Sequence, residues 1–245
     1  MKLKVTKDKF VSALQAVNGA ISGRSTLPIL SNVLVQADKG KLSLTGTDLD
    51  VTIRYGLEAE TSKGGATTLP ARRLLSIVRE LPAEEIVVEV DEKNVASLTC
   101  GQSFFKIMGL SEDEFPPLPK FDQAPSYTLN QGAFKEMLKK TSYAASTDET
   151  RYILNGTLLS FKGDKLTVVA TDGRRLALVE VEMEFPKERE GELILPTKAV
   201  NELLHSLGDD GNLKIQTTKN QVAFQFNDVL LISKLIEGTY PTTNR

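Results

Sequence analysis

Three aspartates stand where acid chemistry would be sought first. Asp48 and Asp50 lie in "LTGTDLDV", and Asp172 lies in "VATDGRRL". Paired carboxylates serve as divalent-metal ligands or as the acid and base of hydrolysis. A Thr-Asp pair just after a strand also makes a turn capped by its own side chains, and Arg174 stands in the second string where Asp50 stands in the first, which favours the turn. His205 is the only histidine, with no cysteine or histidine at ligand spacing, so zinc and Ser-His-Asp chemistry lack raw material. No glycine-rich phosphate loop ends in Gly-Lys-Ser/Thr, and no Gly-x-Gly-x-x-Gly follows a strand. The expectation is a protein without catalytic residues, metal or cofactor.

The elements that must carry these turns repeat. "KLSLTGTDLDVTIR" begins at Lys41 and "KLTVVATDGRRLAL" at Lys165, 124 positions later. At that offset Ile29, Leu30, Leu34, Leu42, Thr47 and Asp48 fall on Ile153, Leu154, Leu158, Leu166, Thr171 and Asp172. Upstream, Phe10 and Leu14 fall on Phe134 and Leu138, one helical turn apart in each copy. Downstream, "LPARRLLSIVREL" overlies "LPTKAVNELLHSL" with a drift of one or two residues. A fainter half-repeat sets Ser43-Leu44-Thr45 against Ser97-Leu98-Thr99. The reading is an α+β protein of tandem homologous domains, 1–122 and 123–245, each with two helices packed on antiparallel sheets. The proline-rich "FPPLPKFDQAP" joins them as an extended connector.

Charge must act by placement, since the chain carries only −2 overall, with 40% hydrophobic and 25% charged residues. Helices are expected over roughly 7–22, 70–81, 130–146 and 195–207. Their charges of +1, +2, +2 and 0 leave −7 for the remainder. A helix layer of that kind attracts phosphates without reading bases. Solvated helix faces are often charged as well, so charge alone favours the plainer reading. The lone Cys100 cannot make an internal disulfide, the N-terminus lacks a signal peptide's apolar core, and no apolar run is long enough to cross a bilayer. A cytoplasmic protein with no membrane partner is expected.

Seven strings in order, "GRSTLPIL", "LSLTGTDL", "LPARRLL", "RYILNG", "VATDGRRLAL", "LPTKAV" and "SKLIEGTYP", resemble one family closely: the bacterial sliding clamp, the beta subunit of DNA polymerase III. The resemblance covers essentially the whole chain and implies a DNA clamp fold and a non-catalytic processivity factor. Two protomers of three similar domains close a homodimer ring around double-stranded DNA. The ring docks the polymerase III alpha subunit, the clamp loader and other proteins bearing a clamp-binding motif. The family's third domain has no counterpart here, which implies a truncated form, monomeric or weakly associated. A two-domain protomer of a trimeric ring, as in the proliferating cell nuclear antigen of eukaryotes, is the first alternative. A carboxylate-dependent hydrolase using Asp48, Asp50 and Asp172 and an interaction module without a DNA role are the others.

The resemblance also carries sites. It implies DNA contacts at Arg24, Arg73, Arg79 and Lys198, to which charge placement adds Lys139 and Lys140. It implies a peptide-docking wall of Arg151, Leu154, Thr171, Arg174, Arg175, Leu176, Pro241 and Arg245. Many family members carry histidine at position 174, so a different peptide preference is expected. Ring closure is expected at the edge strand "SFFKIMGL", through Phe105 and Ile107.

Overall fold

The computed structural model describes residues 1–21, 27–82, 84–121, 124–187 and 190–241, with the backbone alone of Glu149. The chain divides into two compact units, one built on Met1–Pro119 and the other on Lys120–Asn227 with the segment from Leu231 onward. The expected boundary at 122 falls on a residue outside the described set.

In the first unit β1 (Lys2–Thr6) runs straight into α1 (Lys7–Asn18), then β2 (Asn32–Asp38), β3 (Lys41–Thr47), β4 (Val51–Glu58) and the short β5 (Glu60–Lys63). The pattern restarts with β6 (Gly65–Pro70), α2 (Ala71–Glu80), β7 (Glu85–Val90), β8 (Val95–Cys100) and β9 (Ser103–Met108). All pairing is antiparallel. One sheet has the order β5-β1-β7-β8-β9, and in the other β4, β3, β2 and β6 lie side by side. The strand that opens each half therefore belongs to the other half's sheet: β1 pairs with β7 from Lys2↔Glu89 to Thr6↔Glu85, and β6 pairs with β2 from Asn32↔Pro70 to Ala37↔Gly65.

The second unit repeats this plan with β10 (Ser126–Asn130), α3 (Gln131–Thr141), β11 (Gly156–Lys162), β12 (Lys165–Thr171) and β13 (Leu176–Glu182). Then come β14 (Gly191–Pro196), α4 (Thr197–Ser206), β15 (Asn212–Thr217), β16 (Gln221–Phe226) and β17 (Val229–Lys234). Its strands lie in the orders β10-β15-β16-β17 and β13-β12-β11-β14. Burial along β11 and β12 reproduces that of β2 and β3 residue for residue. The repeat thus extends to which side chains point inward, and only β5 lacks a counterpart among the described residues.

Helix spacing explains which faces are buried. Phe10, Ala13, Leu14 and Val17 of α1, and Ala71, Leu74, Leu75 and Val78 of α2, make apolar stripes that leave lysine and arginine outside. Pro70 and Pro196 sit at the caps of α2 and α4, where a fixed φ suits helix entry and no N–H is missed. Two helices end sooner than expected. Beyond α1, Ala20 and Ile21 bond back only three residues, to Val17 and Asn18. Beyond α3, the Thr141 hydroxyl donates to the Met137 carbonyl at 2.8 Å, and the chain tightens into a 3₁₀ turn over Ser142–Ala144.

In the second unit's core Tyr127 stacks on Phe161 with centroids 3.9 Å apart, bringing β10 against β11, while Phe134 of α3 meets Phe224 of β16 at 5.9 Å. The buried Gln131 is satisfied, its Oε1 accepting from the Gly208 amide at 3.1 Å and its Nε2 donating to Asn227 Oδ1 at 3.3 Å. Because Phe224 is fully buried and paired with a helix aromatic, Phe224→Ala should destabilise this unit by about 3–5 kcal/mol. Urea unfolding monitored through second-unit amides measures this, and a loss near zero would place the core elsewhere.

Candidate functional site

The two Thr-Asp turns share one set of bonds. In the first unit Asp48 Oδ1 accepts from the amides of Asp50 at 3.0 Å and Val51 at 2.8 Å, while Thr47 Oγ1 accepts from Leu49 N at 3.1 Å. In the second, Asp172 Oδ1 accepts from Arg174 N at 2.9 Å and Arg175 N at 3.0 Å, and Thr171 Oγ1 accepts from Gly173 N at 3.0 Å. Each threonine hydroxyl also donates across the turn, to Val51 O at 3.2 Å and to Arg175 O at 2.6 Å. Asp48 and Asp172 are turn caps rather than metal ligands or proton donors. Among the described residues no three His, Cys, Asp or Glu side chains gather as a metal site. His205 is an exposed helix residue whose Nδ1 lies 2.7 Å from the Asn201 carbonyl of its own helix.

What differs between the turns is the side chains. In the second unit three arginines surround the turn, and two of them are locked. Arg151 donates from Nε to Asp148 Oδ2 at 3.0 Å and from Nη1 to the Asp172 carbonyl at 2.9 Å. Arg175 donates from Nε to Asp172 Oδ2 at 3.0 Å and from Nη2 to the Tyr143 carbonyl at 2.8 Å, with its guanidinium 5.8 Å from the Tyr143 ring. Arg174 is exposed, and its side chain has no partner among the described residues.

The residues expected to make a docking wall are largely brought together. Arg151 reaches the turn directly, and Thr171 pairs with Leu176 where β12 meets β13. Tyr240 accepts from Thr171 N at 3.0 Å and donates to the Gly156 carbonyl at 3.2 Å, which holds the following Pro241 nearby. Leu176 is 50% exposed and Leu154 half-buried, so neither is an ordinary core residue. Thr171 departs from the expectation of a rim group: it is buried, and its hydroxyl is spent on Arg175 O and Gly173 N. Arg245 lies outside the described residues, as does Arg24. The exposed Leu178, Tyr143 and Tyr152 extend the apolar surface and were not singled out by the sequence.

On the helices, Arg73 and Arg79 of α2 and Lys140 of α3 are exposed and make no ion pair; neither does Arg72, which sequence reasoning passed over. Lys139 is held by Glu136 at 2.7 Å, and that hydrogen bond raises its pKa while offsetting its charge. Lys198 is half-buried in the first turn of α4. On the edge strand β9, Phe105 is exposed, but Ile107 is fully buried, facing the core opposite Ala96 of β8. Its expected contact role is corrected: the accessible apolar side chains are Phe104, Phe105 and Met108, the last 77% exposed.

The turn's order is linked to acid. Amide donation from Arg174 and Arg175 lowers the pKa of Asp172 below its ordinary 3.8, and Thr150, more than Arg151, lowers that of Asp148. Both contributions are complete above 3.8 and are lost only as pH falls through the depressed values. Amide shifts of Arg174 and Arg175 should stay constant down to pH 3.8 and move below it; a midpoint above 3.8 contradicts the caps. Tyr240→Phe, which leaves the buried Thr171 N–H unpaired, should cost about 1–3 kcal/mol in denaturation, and an unchanged midpoint would show the hydroxyl to be idle.

The chain matches two family descriptions in sequence, the DNA polymerase III beta subunit N-terminal domain over residues 1–119 and its central domain over 128–242. It is 36% identical to the beta sliding clamp of Escherichia coli K12, with 100% of this chain and 67% of that protein covered. It is 32% identical to that of Chlamydia muridarum, covering 98% of this chain and 66% of that protein. The crystal structure of the DNA polymerase sliding clamp from Bacillus subtilis superposes with a TM-score of 0.96 at 32% identity, over 99% of this chain and 66% of that one. A sliding clamp from Bartonella birtlesii, crystallised bound to griselimycin, gives 0.92 at 38% identity, over 98% and 66%. The chain spans about two thirds of the length of the relatives it matches. With helix pairs, duplicated turns and both domain matches in agreement, it belongs to the beta sliding clamp family, the beta subunit of DNA polymerase III.

Proposed function

We propose that the two units serve as the N-terminal and central domains of a processivity clamp. In this reading each unit presents its helices to double-stranded DNA, and the grip is topological and independent of base sequence. The cationic turn and the apolar surface of Leu154, Leu176 and Pro241 dock linear motifs of the polymerase alpha subunit, the clamp loader and other partners. The β9 edge, with Phe104, Phe105 and Met108 accessible, is where a second protomer joins to close a homodimer ring. No step of chemistry is asked of the protein.

The observation that carries the DNA reading is a contrast in how cations are used. Sheet lysines are paired, Lys2 with Glu89 at 2.6 Å, Lys162 with Glu192 at 2.7 Å and Lys165 with Glu180 at 3.6 Å. Arg72, Arg73 and Arg79, within ten residues of α2, have no carboxylate partner. Exposed guanidiniums left without acids meet phosphates in any register and exchange readily, which suits sliding.

Charge reversal tests this directly. Arg72→Glu, Arg73→Glu and Arg79→Glu together should weaken duplex association at low salt and flatten the plot of log K against log salt by about 0.9 per lost phosphate contact. Lys2→Glu on the sheet should leave both unchanged. Equal slopes for the helix variant and the parent would remove DNA from the reading.

A further inference from the structure

We infer that Arg174 is a specificity residue of the docking turn, reading a carboxylate in the bound peptide beside its apolar anchor. The assignment rests on the docking role proposed above and adds a chemical class to its ligand. Three guanidiniums crowd this turn, and the chain supplies acids for only two. Asp172 is fully used, Oδ1 by the amides of Arg174 and Arg175 and Oδ2 by Arg175 Nε. Asp148 is used by the Thr150 amide and hydroxyl, at 3.0 and 2.6 Å, and by Arg151 Nε. Arg151 and Arg175 are positioning residues, since each also donates to a backbone carbonyl, of Asp172 and Tyr143, and gives the turn its shape.

Arg174 is different in kind. Its backbone N–H is fixed by Asp172 while its guanidinium stands exposed, two residues before the exposed Leu176 that starts β13. A planar cation with no acid of its own, held at the margin of an apolar surface, is complementary to a peptide carrying Asp or Glu next to its apolar side chains. Arg151 and Arg175 cannot take that part without releasing their own carboxylates.

The test uses the whole chain and two synthetic peptides, each with two adjacent apolar residues preceded by Asp in one and Asn in the other. Binding is followed by the amide shifts of Leu154 and Leu176 on titration to millimolar peptide. The Asp peptide should bind about threefold to tenfold more tightly, with an advantage that shrinks as salt rises. In Arg174→Gln, which keeps the backbone cap and removes no contact within the chain, the two peptides should bind equally, and Arg174→Lys should retain part of the preference. Equal binding to the parent chain, or a preference that survives in Arg174→Gln, overturns the assignment to Arg174 and leaves docking standing. Shifts from neither peptide overturn the docking role itself, and the assignment with it.

Discussion

Each unit is held together by exchanged strands. Because β1 hydrogen-bonds along β7 and β6 along β2, neither half completes its sheet until the opening strand of the other half has arrived. Lys2 pairs with Glu89 across most of the first unit's length, so the decisive contacts are non-local and are reached only after large loops have closed. The arrangement makes a unit cooperative: peeling away β1 would take a strand from one sheet and the anchor of α1 from the helix layer. Everything proposed to touch DNA or peptide is mounted on this interlock.

The duplicated turns show how one scaffold takes different roles. Thr47 with Asp48, and Thr171 with Asp172, build the same hydrogen-bonded loop, whose third position must enter the left-handed region. Gly173 does so at φ 87°, where lack of a Cβ makes the conformation inexpensive. Leu49 does so at φ 77°, which disfavours a branched side chain by about 1–2 kcal/mol. The backbone geometry has been kept even where the residue suits it poorly, while the surrounding side chains diverged from Asp50 and Val51 to Arg174 and Arg175. Function here changes through what the turn carries, with its shape held constant.

The repeat, the strand alternation and the two capped turns were legible in the sequence because each is a local pattern. Identical residues at one offset and Thr-Asp after an alternating run need no tertiary knowledge. Helix ends were not legible to the residue, since Thr141 stops α3 by turning its hydroxyl onto Met137, a choice open to any threonine. In "SFFKIM" nearly every position is apolar, so composition could not say that Ile107 turns inward while Phe104 and Met108 face out. The locking of Arg151 and Arg175 was equally hidden. It depends on Asp148 and Tyr143 arriving from neighbouring turns, and a string that reads "GRR" gives both arginines the same standing.

The chain's single cysteine has a practical meaning. Cys100 ends β8 almost wholly buried, its thiol 3.7 Å from the Pro82 carbonyl, beneath the pairing of Cys100 with Ser103 at the start of β9. A thiol so enclosed reacts slowly with maleimides and spin labels while the fold is intact. The native protein is therefore nearly blank to thiol chemistry. A cysteine introduced on an exposed helix or turn position would be the dominant reporter, and slow labelling of Cys100 itself would time the opening of the β8–β9 edge.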